Sequence, residues 1–309
     1  MTVRVRRIES VVEAVGETPL VRLRTVAREA PGVKVYLKLE YANPGGSVKD
    51  RPALQMMLDA LEDKRLTRDK TLIDATSGNT GVAYSIFGAA LGVRIALVMP
   101  GNVSQARKNI TRAFGTELVF SDPMEGSDGA IKHCRALVDE QPDKYFYPDQ
   151  YSNPSNPKAH YLGTGREILE QVGGEITHFI AGVGTSGTLM GTTRRLHEHS
   201  RKVVCIGVEP AEALHGLEGL KHMETSIVPP IYDPKLPDEM TRVGTEAGWD
   251  MADRLAREEG LHVGHSTGAN VHAAVELAKR IGEGCVVTIA CDRGDRYFAP
   301  MRWEKLYEW

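Results

Sequence analysis

The chain is poor in the features that mark several protein classes. Four cysteines in 309 residues, Cys134, Cys205, Cys285 and Cys291, lie far apart, with no CxxC pair and no Cys/His cluster. That spacing gives no zinc motif, so no metal is expected, and two of the four fall in apolar segments where cysteine acts as a small core residue. A reducing, cytoplasmic setting follows as an expectation. No long apolar run occurs: the most hydrophobic stretch, Val82 to Val93, is too short for a bilayer and ends at Arg94. The basic first ten residues have no apolar core, so they do not read as a signal peptide. There is no excess of positive charge. A net charge of -3 argues against a nucleic-acid partner. Repeats and low-complexity tracts are absent too.

What remains is an ordinary globular composition, 41% hydrophobic and 26% charged, long enough for two domains. Strand patterns alternate with helix patterns along most of the chain. Val33, Val35, Leu37 and Leu39 alternate with polar residues, which predicts a strand with one apolar face. Leu54, Met57, Leu58 and Leu61 recur at helical spacing. Further strands are expected at Thr71 to Ala75, Val93 to Met99, Thr116 to Phe120, Thr177 to Ala181, Lys202 to Val208 and Cys285 to Cys291. Such a succession predicts an α/β fold with twisted, mostly parallel sheets. The stretch Tyr145 to Pro157, rich in proline and expected to be irregular, marks a boundary. A single helix is expected after it, from Lys158 to Gln171. Ala211 to Pro237 also reads as irregular, and the tail from Asp292 to Trp309 as a segment packed on a surface or a partner subunit.

Three loops stand where a strand ends and a helix begins. In Asn43-Pro44-Gly45-Gly46-Ser47-Val48-Lys49-Asp50-Arg51, the proline and glycines break the chain and Ser47 reads as an N-cap. Lys49 then falls in the first helical turn. A cation is disfavoured there, which suits an amine that acts in its neutral form. A plain surface lysine is the alternative. Thr76-Ser77-Gly78-Asn79-Thr80-Gly81 is small and hydroxyl-rich, and its successive N–H groups make an anion nest. Gly182-Val183-Gly184-Thr185-Ser186-Gly187-Thr188 is a phosphate cradle by the same logic. It also contains GxGxxG, and Glu209 ends the next strand, so a dinucleotide site stays open as a rival. Its late position and hydroxyl-rich ending turn the reading away from that. Ser266, in Gly264-His265-Ser266-Thr267-Gly268-Ala269, is at minimum an N-cap.

Taken together these strings resemble the fold-type-II pyridoxal-phosphate enzymes and, within them, the cysteine synthases, the B-type branch most closely. The resemblance covers nearly the whole chain. It implies a smaller domain over 41–150 and a larger one over 1–40 with 151–309, the cofactor lying in the cleft between them. It implies that Lys49 holds pyridoxal 5'-phosphate as a Schiff base and moves the Cα proton. Asn79 would meet the phenolic oxygen of the cofactor, Gly184, Thr185, Ser186, Gly187 and Thr188 its phosphate, and Ser266 its pyridine nitrogen. Thr76, Ser77, Thr80 and Gln150 would hold the substrate carboxylate. His265 departs from the family, which usually carries an apolar residue there, and Asp292 is placed near the ring without a catalytic role.

The activity implied is β-replacement on O-acetylserine or O-phosphoserine by a sulfur donor such as sulfide, thiosulfate or a protein thiocarboxylate. A homodimer is implied as well. Lys221, in a loop resembling the B-type branch, is either a cation for a phosphate leaving group or a solvated lysine. Within the family, cystathionine β-synthase and serine or threonine dehydratase are alternatives, and the Thr76–Thr80 string favours the synthase. Outside it, the alternatives are an NAD-dependent dehydrogenase using the GxGxxG loop, or an inactive binding protein on the same fold. Intact Lys49, Asn79 and Ser266 argue against the last.

Overall fold

A computed structural model of the chain describes residues 7–297. In chain order it contains β1 (Leu20–Leu23), β2 (Val33–Leu39), α1 (Asp50–Glu62), β3 (Thr71–Ala75), α2 (Asn79–Leu91), β4 (Arg94–Pro100), α3 (Gln105–Arg112), β5 (Glu117–Ser121), α4 (Gly126–Glu140) and β6 (Tyr145–Phe146). It continues through α5 (Ser155–Ala159), a π-helical turn (His160–Gly165), α6 (Arg166–Val172), β7 (His178–Gly182), α7 (Gly187–His199) and β8 (Val204–Pro210). Last come β9 (Glu239–Val243), α8 (Thr245–Glu259), α9 (His265–Ile281) and β10 (Gly284–Ala290). Contacts sort these residues into two units, the smaller holding 7–17, 43–45 and 49–156, and the larger 18–42, 46–48 and 157–297. No helix of the described residues is long and apolar enough to cross a membrane.

The smaller unit is built on a four-stranded, all-parallel sheet in the order β5-β4-β3-β6. Its central strands carry apolar residues on both faces because both are covered, with Thr71, Asp74 and Arg94 as the polar exceptions. Leu72, Leu97 and Met99 face Ala53, Met57, Tyr84 and Phe87 of α1 and α2. Their neighbours Ile73, Ala96 and Val98 point the other way, onto Ala130 and Cys134 of α4. β6 falls inside the stretch expected to be irregular. Tyr145 and Phe146 pair with Thr71 and Leu72, and the strand stops before Pro148, which has no N–H for a ladder.

The larger unit carries a six-stranded sheet in the order β1-β2-β10-β7-β8-β9. Only β1 and β2 are antiparallel; the other pairs are parallel. α8 and α9 cover one face, and α6 and α7 the other. β2 departs from the expected half-solvated strand, since Lys38 on its second face is also buried. The charge is held there by Thr18 O at 2.6 Å, Glu167 at 2.7 Å and Gln171 Oε1 at 2.9 Å. Three acceptors offset the desolvation that burial imposes on an ammonium.

Two further expectations are corrected here. The helix read over Lys158 to Gln171 is broken by the π turn at 160–165. β9, unforeseen, is a mostly exposed edge strand just past Pro237. Its sequence EMTRV lacks the apolar alternation that betrays half-buried strands. Of the tail, Gly294–Tyr297 form a 3-10 turn and residues 298–309 lie outside the described residues.

Candidate active site

In the smaller unit Lys49 sits at the N-cap position of α1, with the helix beginning at Asp50. This corrects the reading of Ser47 as the cap. Ser47 is committed elsewhere, in an isolated bridge with Asp292, and Val48 N–H donates to Cys291 O at 2.7 Å within the larger unit. Lys49 is therefore the residue at which the chain passes from 46–48, fastened to the end of β10, into α1. Around it the motif folds on itself. The buried Asp50 carboxylate accepts from Gly45 N–H, and Asn43 Oδ1 accepts from Gly16 N–H at 2.8 Å. Lys49 itself is half-buried.

The loop after β3 leads into α2 earlier than expected, so Asn79 and Thr80 occupy the first helical turn. Gly78 is the N-cap and supplies no side-chain bond. The N-terminal N–H groups thus keep the positive end of the helix undamped by a capping oxygen. Thr80 Oγ1 donates to Gln150 Oε1 at 2.9 Å, and Asn156 holds the Gln150 carbonyl at 2.7 Å. These two expected carboxylate contacts, 70 residues apart in sequence, therefore lie together. Thr76 and Ser77 are half-buried beside them in the chain. Beneath the loop Asp74 is fully buried, its carboxyl accepting from Ala75 N–H at 2.7 Å. Burial, with the charge of Asp149, pushes this carboxyl up to about 7.

In the larger unit the second loop joins β7 to α7. Ser186, the N-cap residue, has φ +73°, a left-handed conformation that costs a non-glycine residue roughly 1–2 kcal/mol. The loop is packed from behind. A Cβ on Gly184 would lie 2.3 Å from Gly219 O, and Lys221 N–H donates to Val183 O at 2.8 Å. Among the described residues, the buried Ser186 hydroxyl has no hydrogen-bond partner. A buried orphan donor at a helix N-terminus, flanked by the Thr185 and Thr188 hydroxyls, fits a phosphate group. The rival dinucleotide reading fails on Glu209. Its carboxylate accepts from Arg242 Nε at 3.0 Å and Met223 N–H at 3.1 Å, so it is not offered to a ribose.

Ser266 is the second residue of α9, whose N-cap is Gly264. The capping explanation for this serine is therefore wrong. It is buried, at 4% exposure, in the first helical turn. His265 beside it is stacked between Trp249 and Tyr297, at centroid distances of 5.2 and 5.5 Å. The Tyr297 hydroxyl donates to the buried Asp292 carboxylate, and burial together with that charge holds the phenol well above its ordinary value. Ring packing thus accounts for an aromatic residue where an apolar one was expected.

Among the described residues one group of potential metal ligands comes close, His197, Cys205 and Asp238, with ligand atoms within 4.8 Å. Its donors are already used. Asp238 accepts from Cys205 N–H at 2.7 Å and pairs with His197 Nε2 at 3.0 Å, while Arg201 meets His197 Nδ1 at 3.1 Å. Burial pushes the Cys205 thiol up to about 12. These hydrogen bonds join α7, β8 and the segment before β9.

Comparison with known proteins shows the family. Residues 11–292 match the family described as "Pyridoxal-phosphate dependent enzyme". A cysteine synthase of Aquifex aeolicus is 49% identical over 295 residues, covering 94% of this chain and 90% of that protein. Cysteine synthase B of Escherichia coli is 39% identical over 287 residues, covering 93% of each. The crystal structure of a cysteine synthase from Entamoeba histolytica superposes with a TM-score of 0.94 at 34% identity, covering 98% of this chain and 93% of that one. The chain belongs to the pyridoxal-phosphate dependent enzyme family.

Proposed function

We propose that the protein is a cysteine synthase, replacing the β-substituent of an activated serine with a sulfur nucleophile. The observation that carries this reading is the likeness to the Aquifex aeolicus cysteine synthase over 94% of the chain. The hydroxyl-rich loop before α7 supports it, because it has the donors that a phosphate needs.

In this reading Lys49 would hold the pyridoxal phosphate through its Nζ, Asn79 would meet the phenolic oxygen, and Ser266 would face the ring nitrogen. Gly184, Thr185, Ser186, Gly187 and Thr188 would hold the phosphate. When bound, the group supplies an electron-withdrawing ring that makes the Cα proton of the substrate acidic. The Lys49 amine takes that proton and later returns it. Thr76 and Ser77, with N–H groups at the start of α2, hold the carboxylate and fix Cα relative to Lys49. Thr80 orients the Gln150 amide toward the same group. A visible absorption band that moves on adding O-acetylserine, with cysteine formed on adding sulfide, tests the reading. A nicotinamide-dependent oxidation in place of that band overturns it.

Ser266 is proposed to keep the ring nitrogen uncharged, which moderates the electron sink and favours elimination at the β-carbon. Ser266→Ala is expected to lower the elimination rate by roughly tenfold or more, the scale of one lost polar contact in the transition state. Ser266→Asp is expected to raise side reactions. Rapid-mixing spectra with O-acetylserine measure both. Wild-type rates with only a changed melting temperature would return Ser266 to a packing role.

Lys221 is proposed to meet the leaving group. Its backbone is fastened to Val183, and Gly219 lies against Gly184, so the 219–221 segment borders the phosphate loop. A phosphate adds nearly two negative charges and an acetyl ester none. Lys221→Ala is therefore expected to lose about tenfold in kcat/KM for O-phosphoserine and little for O-acetylserine. An equal loss for both substrates assigns Lys221 to the structure of the loop. A homodimer in the cytoplasm belongs to the same reading, and sedimentation of the purified protein measures the first part.

A further inference from the structure

We infer that His160 is a positioning residue for the phosphate loop, aiming the Thr188 hydroxyl through a hydrogen-bonded relay that begins at Thr164. The inference rests on the reading of Gly184 to Thr188 as the phosphate site. His160 and Thr164 lie within the π turn at 160–165, and both are buried. π turns are rare and concentrate at functional sites. His160 Nδ1 is 2.9 Å from Thr164 Oγ1, and His160 Nε2 is 3.3 Å from Thr188 Oγ1. Thr188 is the second residue of α7 and the last of the loop. A Cβ on Gly191 of α7 would lie 2.0 Å from Pro157 O and 2.9 Å from His160 Cβ. A Cβ on Gly165 would lie 2.7 Å from Arg195 Cβ. α7 therefore packs closely on Pro157 of α5 and on the π turn at His160 and Gly165.

Proton counting gives the relay its direction. A threonine hydroxyl has one hydrogen and two lone pairs, and a neutral imidazole has one N–H and one bare nitrogen. If Thr188 donates to Nε2, it turns only lone pairs toward the loop, which repels a phosphate dianion. If Nε2–H donates to Thr188, the Thr188 hydrogen is released to the phosphate. Nδ1 is then bare and accepts from the Thr164 hydroxyl. A bound phosphate selects this second arrangement, and the relay polarises along its length from Thr164 to the anion. No local pattern betrays it, because His160 and Thr188 are 28 positions apart and the π turn breaks the helical register.

The holoenzyme tests this directly. In the ¹⁵N spectrum, His160 is expected as the Nε2–H tautomer when pyridoxal phosphate is bound; the Nδ1–H tautomer overturns the relay. Pyridoxal phosphate affinity, measured by equilibrium dialysis, is expected to fall about tenfold in His160→Leu. It should be largely restored in His160→Gln, which keeps a donor near Nε2. In a Thr188→Val background His160→Leu should add little further loss. An equal loss in both backgrounds means that His160 acts only by filling space, and the inference falls. If His160→Leu does not fold, Thr164→Val, nearly unchanged in volume, carries the same cycle with Thr188→Val. A wild-type protein that binds neither pyridoxal phosphate nor inorganic phosphate removes the functional reading itself. A wild type that binds, with variants that do not separate, removes only the relay.

Discussion

Lys49→Ala is expected to lose turnover by roughly a thousandfold or more, the scale of a lost general base, while the protein stays folded. The fold should tolerate it because α1 starts at Asp50 and the Lys49 side chain makes no capping bond. The comparison with Lys38 sharpens the expectation. Lys38 is fully buried and holds three acceptors within 2.9 Å, which stabilise its ammonium and leave no role for a neutral amine. Lys49 is instead half-buried at the N-cap of α1. Borohydride reduction followed by peptide mapping should find the pyridoxyl group on Lys49. Recovery on a different lysine, or a yellow and active Lys49→Ala protein, is incompatible with the assignment.

Asp74→Asn is expected to stabilise the protein at pH 8 and to change little at pH 4. The carboxyl titrates near its ordinary 3.8 in the unfolded chain and is pushed up to about 7 in the folded one, chiefly by burial. Below pH 4 both states are protonated and the group contributes nothing against folding. Between about pH 4 and 7 the unfolded chain releases its proton first, so stability falls as pH rises. Above 7 the full penalty is present, with an upper bound of about 4 kcal/mol for three units. Asparagine has no charge to bury and retains an oxygen for Ala75 N–H, so a gain of about 2 kcal/mol at pH 8 is expected. Urea unfolding at pH 4, 6 and 8 measures it. A gain independent of pH shows that the carboxyl does not ionise in the buried site.

Much of this architecture is legible in the residues, and the gaps share one cause. β2, β3, β4 and α1 declare themselves by period or by apolar runs, since those signals are local. The three strand-to-helix loops are legible because proline and glycine break the chain between a strand pattern and a helix pattern. Both caps were misread. Ser47 and Ser266 have the right chemistry, yet Ser47 is claimed by Asp292, a residue far along the chain, and Gly264 precedes Ser266 at the turn. β9 is invisible because an exposed edge strand needs no apolar pattern. The meeting of Thr80 with Gln150 and of His160 with Thr188 depends on tertiary placement, which no window of sequence contains.

The alternation of the chain between its units also governs how the protein can be made. β1 and β2 are synthesised first, but β2 takes its central place only when β10 arrives, pairing Val33 with Gly284. Everything between, including the whole four-stranded sheet, emerges while β2 waits with one edge open. The smaller sheet, complete by Phe146, can close before the larger one has a third strand. Biogenesis therefore runs inside out, with the inserted body maturing before its host. An unfinished larger sheet exposes apolar edges for as long as translation takes to reach residue 290, the interval in which a nascent-chain chaperone has the most to protect.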